Sequence, residues 1–333
     1  MEKEAYGISN FPSCSEQYTK YPVHRSSAEI DTVLSIPKEE RTITEIQAGH
    51  MAYRHYIASY NTIEIFMKEH DSREFTDPKR ESHSRAYLVK EYAAYEHLRS
   101  KGFTAIPDEV RLIDDTLLAM NNLSKHDDWA WQVPLEYKER YINDILLSLE
   151  ALQTIEPLSN ESTEVTASYE TFWREGWDAI DDIIADKITN RVSELTKNWH
   201  PEQQKTVATL LRSFKDLRHQ ALVVDRSPVL FFSHNDARQS NIAWHLEKGV
   251  CIVDWSWSDV APKDADVTMF LIDLAKSGHD VTTYAHRLNQ DFALTLIGFW
   301  LAHSIWQTKD SNTEVREHQV ASAAVAFQLL NSI

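Results

Sequence analysis

The chain has 333 residues, of which 42% are hydrophobic, 26% charged and 11% aromatic, with ten tryptophans, a composition that excludes disorder and is large enough for two lobes around a buried core. Its 51 acidic residues against 34 basic ones give a net charge of −17, which repels nucleic acid and anionic membrane and tolerates cationic ligands. Cys14 and Cys251 are the only cysteines, so a disulfide framework is excluded and a reducing compartment is expected.

Residues 1–27 are polar and aperiodic and are expected to form an N-terminal extension. Their start, Met-Glu-Lys-Glu-Ala-Tyr-Gly, has no net basic character and no apolar run, so a signal peptide is not expected. Ser26 and Glu29 form a capping-box pattern ahead of a short helix over 28–35, whose apolar face is Ile30, Val33 and Leu34. Strands follow at 42–46, 53–58 and 63–68, where β-branched and aromatic residues partly alternate with polar ones. The segment from Asp71 to Arg85, containing Pro78, reads as a charged loop. A helix is predicted over 84–101, with Leu88, Tyr92, Tyr95 and Leu98 on one face and Gly102 as its stop. Two more strands are predicted at 109–113 and 117–120.

After Asn122 the pattern is helical. Ile142, Ile145, Leu146, Leu149 and Leu152 set a helix over 141–154, a polar loop spans 156–168, and single helices are predicted over 169–186 and 201–221. Three short strands come next: 229–232, 242–244 and 250–253, with Gly249 turning between the last two. Helices over 266–277, 291–306 and 315–330 close the chain. The most apolar stretch, 292–306, contains His303 and Ser304 and is too short to span a bilayer, so it is read as a buried helix. A soluble cytoplasmic protein with neither a membrane nor a nucleic-acid partner is the expectation.

The chemistry lies in Ser233-His234-Asn235-Asp236-Ala237-Arg238-Gln239-Ser240-Asn241 and Cys251-Ile252-Val253-Asp254-Trp255. An apolar strand runs into Asp236, Asn241 follows five residues later, and Asp254 stands just past a buried strand. Phosphoryl transfer needs these parts: one carboxylate to orient a hydroxyl, and an Asn with a second Asp to hold Mg²⁺ on the phosphates.

The string His-x-Asp-(x)4-Asn followed by Asp-Trp resembles the aminoglycoside phosphotransferase and choline kinase family, over roughly residues 28–330. The resemblance implies an α+β, protein-kinase-like fold of two lobes. The small lobe, residues 28–122, would bind nucleotide with an antiparallel sheet and one helix. The larger, mainly helical lobe, residues 123–333, would carry catalysis and acceptor binding. Asp236 would then be the catalytic carboxylate, His234 a brace for its loop, and Asn241 and Asp254 the Mg²⁺ ligands. Arg238 would neutralise γ-phosphate charge, its alternative being a pair with a nearby acid. Lys68 matches the nucleotide-binding lysine and Glu91 its ion-pair partner, with Glu96 as the alternative to Glu91. Met120 and Asn121 match the hinge that holds the purine, and Asp266 matches an acid that braces the catalytic loop.

Two residues depart from the family's usual text. Gly49 is the single glycine where a phosphate-covering loop belongs, and Asn235 stands where the family usually has glycine. ATP or GTP would be the donor, with Mg²⁺, and a small hydroxylated molecule the acceptor. Trp173, Trp177, Asp178, Asp181, Asp182, Trp255, Trp257, Asp259, Trp300 and Trp306 are candidate acceptor walls, which suit a cationic amino-sugar if they form a cage and are ordinary core and wet helix face if they do not. Two other classes compete: a catalytically weak nucleotide-binding regulator, and a metal-dependent hydrolase built on His234, Asp236, His245 and Asp254.

Overall fold

The computed structural model describes residues 42–46, 53–60, 63–70, 78–158, 169–306 and 313–332, apart from the side chains of residues 60, 78–80 and 125. The extension over 1–27, the helix expected at 28–35 and Gly49 lie outside the described residues. The described chain divides into two compact units. One comprises the described residues within Ser15–Thr166 and Ser240–Ser258, the other those within Ala167–Gln239 and Asp259–Ile333. The division at residue 122 follows the change from strand to helix along the chain, whereas these units follow contacts.

The first unit is built on a five-stranded antiparallel sheet in the order β1-β2-β3-β5-β4, with β1 Thr42–Ile46, β2 Tyr53–Tyr60, β3 Ile63–His70, β4 Val110–Ile113 and β5 Leu117–Asn121. Tyr56, Ala58, Met67, Leu117 and Ala119 form its core. The last four residues of β3, Met67 to His70, are all buried, so both faces are covered there and Lys68 and Glu69 are withdrawn from water.

Helix α1, Pro78–Ser100, connects β3 to β4. It starts earlier than the pattern predicts because Pro78, assigned above to a loop, sits at the first helical position, where proline's missing N–H costs nothing. Ser84, Leu88, Glu91, Tyr95 and Leu98 recur at helical spacing and are all buried. Gly102, at φ 76°, ends the helix, and Phe103 N–H returns to the Leu98 carbonyl at 3.0 Å. Helix α2, Lys138–Leu152, and the hairpin of β7 (Ile242–His245) and β8 (Gly249–Ile252) belong to the same unit. Leu123, Ala243 and Cys251 pack beneath Trp129, Trp131 and Val253, and the Trp244 indole donates to Asp144 at 2.9 Å.

The second unit is mainly helical, with a two-stranded antiparallel pair, β6 (Leu230–Ser233) and β9 (Asp259–Pro262). Its helices are α3 Tyr169–Glu175, α4 Asp182–Leu195, α5 Pro201–Arg212, α6 Phe214–Ala221, α7 Ala265–Lys276, α8 Gln290–His303 and α9 Glu314–Leu330. Two single helices expected from periodicity are each broken. Ser213, with ψ at 0°, interrupts 201–221. Gly176 ends the helix expected over 169–186, and after a 3₁₀ turn at Trp177–Ala179 Asp181 caps α4 by accepting from Ile184 N–H at 2.7 Å.

Close packing requires glycine at that second break. A Cβ on Gly176 would meet the Phe172 carbonyl and lie 2.8 Å from Phe299 N, and a Cβ on Gly298 would lie 2.5 Å from the Trp177 indole. The indole is pinned there by its N–H bond to the Leu294 carbonyl, 2.8 Å. In an open helix, Gly298→Ala would stabilise by roughly 0.5–1 kcal/mol. Here overpacking wins, and we expect a loss of about 1–3 kcal/mol in denaturant unfolding; a gain would show that α8 is not held against Trp177.

Candidate active site

In the first unit, β3 delivers Lys68, α1 delivers Glu91, and the chain leaving β8 delivers Asp254. The Lys68 ammonium is 2.7 Å from Glu91 Oε2 and 2.9 Å from Asp254 Oδ1. The Lys68 and Glu91 side chains are 6% and 2% exposed, whereas that of Asp254 is 42% exposed. Tyr53 lies beneath the ammonium, with 4.6 Å to the ring centroid. Burial works to lower the Lys68 pKa, but Asp254 and Glu91 outweigh it and hold the lysine charged above its usual range. Burial pushes Glu91 up to about 7, with Lys68 pulling the other way. Glu96, the alternative partner on the same helix, bonds Arg99 instead.

Asp254 is fixed from several sides. Its backbone is left-handed (φ 62°, ψ 59°), a conformation short polar residues tolerate best. Its N–H donates to the Tyr95 hydroxyl at 3.2 Å, and Ser256 Oγ donates to Oδ1 at 2.9 Å. The next residue, Trp255, is fully buried and meets Phe103 edge to face at 6.2 Å. The β7–β8 register pairs Ile242 with Ile252, and the Asn241 carbonyl accepts from Val253 N–H at 2.9 Å, so the hairpin brings Asn241 beside the strand end that carries Asp254. Mg²⁺ binds one or two protein oxygens together with phosphate oxygens and water. One half-exposed Asp carboxylate and one Asn carbonyl carried on a single hairpin fit that demand.

Met120 pairs with Phe66 on one side and Val110 on the other, inside the sheet, and its sulfur is 4.0 Å from the Tyr95 hydroxyl. Asn121 is exposed at the end of β5, and the following Asn122 bonds Glu64 through both backbone and side chain.

In the second unit, β6 runs into the Asp236 loop. Asp266 opens α7 and is buried, and its two carboxylate oxygens accept from His234 N–H at 2.7 Å and Asn235 N–H at 2.9 Å. Burial raises its pKa, while His234 and the two backbone donors oppose the rise. The fully buried His234 accepts from Asp236 N–H through Nδ1 at 3.2 Å. Asn235 has φ 63°, which explains how asparagine stands where glycine is usual: it is among the few side chains that accept the left-handed region. Arg238 clasps Asp236 as a fork, Nε to Oδ1 at 2.6 Å and Nη2 to Oδ2 at 2.7 Å.

Several acceptor-wall candidates are engaged within the chain. In the second unit, Asp178 accepts from Arg226 at 2.8 and 2.9 Å, the Arg226 guanidinium lies 4.2 Å over the Trp173 ring, and Asp182 accepts from Arg218 at 3.0 Å. Trp177, Asp178, Arg218 and Arg226 border a cavity of about 210 Å³. Trp300 is buried, Asp259 is buried at the start of β9, and Trp306 is 47% exposed and lies against His303. In the first unit, Trp255 is core. Sequence reasoning missed Tyr53 as the floor under Lys68, and Asp273, Lys276 and His318 around Arg238. Only Asp273 had a signal, since it follows Asp266 by two helical turns on one face.

The fold can be set against solved structures. Choline kinase from Cryptosporidium parvum Iowa II superposes with a TM-score of 0.51 at 10% identity, covering 92% of this chain and 96% of that one. A thermostable mutant of aminoglycoside phosphotransferase APH(4)-Ia in its apo form gives 0.51 at 12% identity, covering 87% and 94%. The chain has their kinase-like fold. LicA in complex with AMP gives 0.50 at 13% identity, covering 93% and 99%. No family model and no curated protein sequence matches the chain. Among the described residues, no helix is long and apolar enough to cross a membrane, and no three His, Cys, Asp or Glu side chains group as a metal cage. In the two histidines of the hydrolase expectation Nδ1 is engaged within the chain: His245 Nδ1 accepts from Glu247 and Lys248 N–H, and His234 Nδ1 from Asp236 N–H.

Two measurements test this kinase-like site. Asn235→Gly should leave stability within about 0.5 kcal/mol, whereas Asn235→Ala should cost about 1–2 kcal/mol, because glycine has no Cβ to oppose a left-handed backbone and asparagine offsets its own by local hydrogen bonding, while alanine does neither; equal costs would contradict the turn. His55, buried on β2, has its pKa pushed down to about 3, by burial first and by the Lys68 charge second. The unfolded chain protonates it near 6.5, so its contribution to stability is complete above pH 6.5 and is lost progressively as pH falls toward 3. The unfolding free energy of His55→Gln minus that of wild type should be flat above pH 6.5 and climb on acidification, by at most about 1.4 kcal/mol per pH unit. A flat difference throughout would mean that His55 is solvated.

Proposed function

We propose that this chain transfers the γ-phosphate of ATP, with Mg²⁺, to a hydroxyl of a small molecule. The observation that carries the reading is the Lys68 ammonium bonded at once to Glu91 and Asp254, because nothing in a plain sheet core calls for a buried lysine shared by two acids. Lys68 would neutralise the α- and β-phosphates, and Asn241 and Asp254 would hold the metal, which supplies charge compensation on the phosphate oxygens. Asp236 would orient and deprotonate the acceptor hydroxyl through a lone pair that the Arg238 fork leaves open, and the guanidinium charge would act from its place on that fork on the charge that develops on the transferred group. Met120 and Asn121 would flank the base, and Gly49 would approach the phosphates through its backbone.

The acceptor we favour is small and hydroxylated. The net charge of −17 supports a cationic amino-sugar, but Asp178 and Asp182 already satisfy Arg226 and Arg218, so those two acids would have to release their arginines to bind one. One observation favours the regulator reading: Arg238 covers both oxygens of the carboxylate that catalysis needs.

ADP release measured over a panel of cationic, neutral and anionic hydroxylated acceptors decides between them. Asp236→Ala should lower kcat by roughly 10²–10⁴-fold with nucleotide affinity retained, since its interaction belongs to the transition state. Asp254→Ala should abolish Mg²⁺-dependent turnover. Turnover by Asp236→Ala at the wild-type rate would refute the assignment, and nucleotide binding without transfer to any acceptor would establish the regulator.

A further inference from the structure

Helix α7 holds the Asp236 loop at two points. Asp266 takes the loop's first two N–H groups, as described above. Asp273, seven residues later on the same helix face, takes its far end: Gln239 N–H at 3.0 Å and the Gln239 side-chain amide at 3.2 Å, both on Oδ2. The other oxygen of Asp273 holds Lys276 at 2.7 Å, and this ion pair is withdrawn from solvent, with both side chains at 10% exposure or less. Lys276 Nζ lies 3.0 Å from each ring nitrogen of His318 on α9. Arg238 Nη1 lies 3.3 Å from His318 Nε2. The fork on Asp236 uses Nε and Nη2, so Nη1 is the one guanidinium nitrogen turned outward, and it faces the ring.

We propose that Lys276 and His318 are positioning residues that set the Arg238 guanidinium, and through it the carboxylate plane of Asp236. This rests on the phosphotransferase reading for its kinetic consequence, though not for its geometry. Ammonium and guanidinium N–H groups can only donate, so His318 must offer them a nitrogen lone pair, and it acts as a wedge between two cations. Asp273 supplies the charge that keeps Lys276 in place. The result is a relay, Asp273–Lys276–His318–Arg238–Asp236, joining α7, α9 and the loop. An arginine fork without a third contact can pivot about its carboxylate; with Nη1 seated on His318 it cannot. A displacement of about 1 Å at a reacting group can cost on the order of a hundredfold in rate, so a loose fork matters even where no bond to substrate is lost.

Steady-state kinetics and arginine side-chain NMR test the proposal on the full chain. Lys276→Met and His318→Phe should each lower kcat about tenfold or more while KM for Mg-ATP stays within twofold, and Lys276→Arg should recover at least half of the wild-type rate. In an Arg238→Gln background, His318→Phe should have no further effect, because its route is already cut; full additivity would overturn the relay. The ¹⁵N-edited Nε–H resonance of Arg238 should exchange with water at least tenfold more slowly than that of an exposed arginine, and exchange should speed up about tenfold in His318→Phe. Unchanged exchange in a variant that melts like wild type would overturn the proposal. A wild-type chain that transfers no phosphate but shows the protected resonance would sink the phosphotransferase reading and leave the positioning intact.

Discussion

A lysine ammonium taken almost wholly out of water must be neutralised, and much of the first unit follows from that demand at Lys68. A strand running through the sheet buries the ammonium, a helix brings Glu91 to one side of it, and the end of a hairpin brings Asp254 to the other. Each partner needs its own support: Leu88, Tyr95 and Leu98 seat the helix, and Trp255 with the Tyr95 hydroxyl seats the left-handed turn at Asp254. Removing one member of such a cluster leaves an uncompensated buried charge, which typically costs more than the pair contributes to stability. The expense is justified if the charges act on something else, and the partly exposed Asp254 is where that something would arrive.

The second unit solves a related problem for the backbone of a loop. A tight loop carrying Asp236 has backbone N–H groups that must be satisfied in a buried place, and α7 satisfies them with carboxylates spaced two turns apart. Asn235 makes the turn possible by accepting a left-handed backbone. The loop is thereby fixed by a rigid helix rather than by its own length, which is what the role proposed for Asp236 would require. Only four residues of chain separate Asp236 from Asn241, so one short segment links the loop held by α7 to the hairpin that carries Asn241 and Asp254.

The sequence made the strands, α1 and the motif hairpin largely legible, because each rests on local period or on spacing within one motif; the pairing of Lys68 with Glu91 was implied by the resemblance, which left Glu96 open, and the ion pair of Glu96 with Arg99 separates the two. What escaped it depends on residues distant along the chain. The arginines that occupy Asp178 and Asp182 lie 48 and 36 positions away, so a cationic cage and a set of internal ion pairs look alike in sequence. His318 stands 80 residues from Arg238 in an ordinary helical stretch, with nothing local to mark it. The break at Gly176 had a signal, a glycine inside a helical pattern, but part of the packing that requires glycine there is a backbone 123 residues later at Phe299. Strand β9 was invisible because four residues ending in proline do not read as a strand until β6 lies beside them.

The central claim is that Lys68, Glu91, Asp254 and Asn241 form a nucleotide-phosphate site. Titration calorimetry of the full chain with ATP, with and without Mg²⁺, in wild type and in Lys68→Met, tests it most directly. The account predicts saturable, Mg²⁺-dependent binding that weakens at least tenfold in a folded Lys68→Met chain. Absence of ATP binding to wild type, or equal binding by the variant, would contradict it.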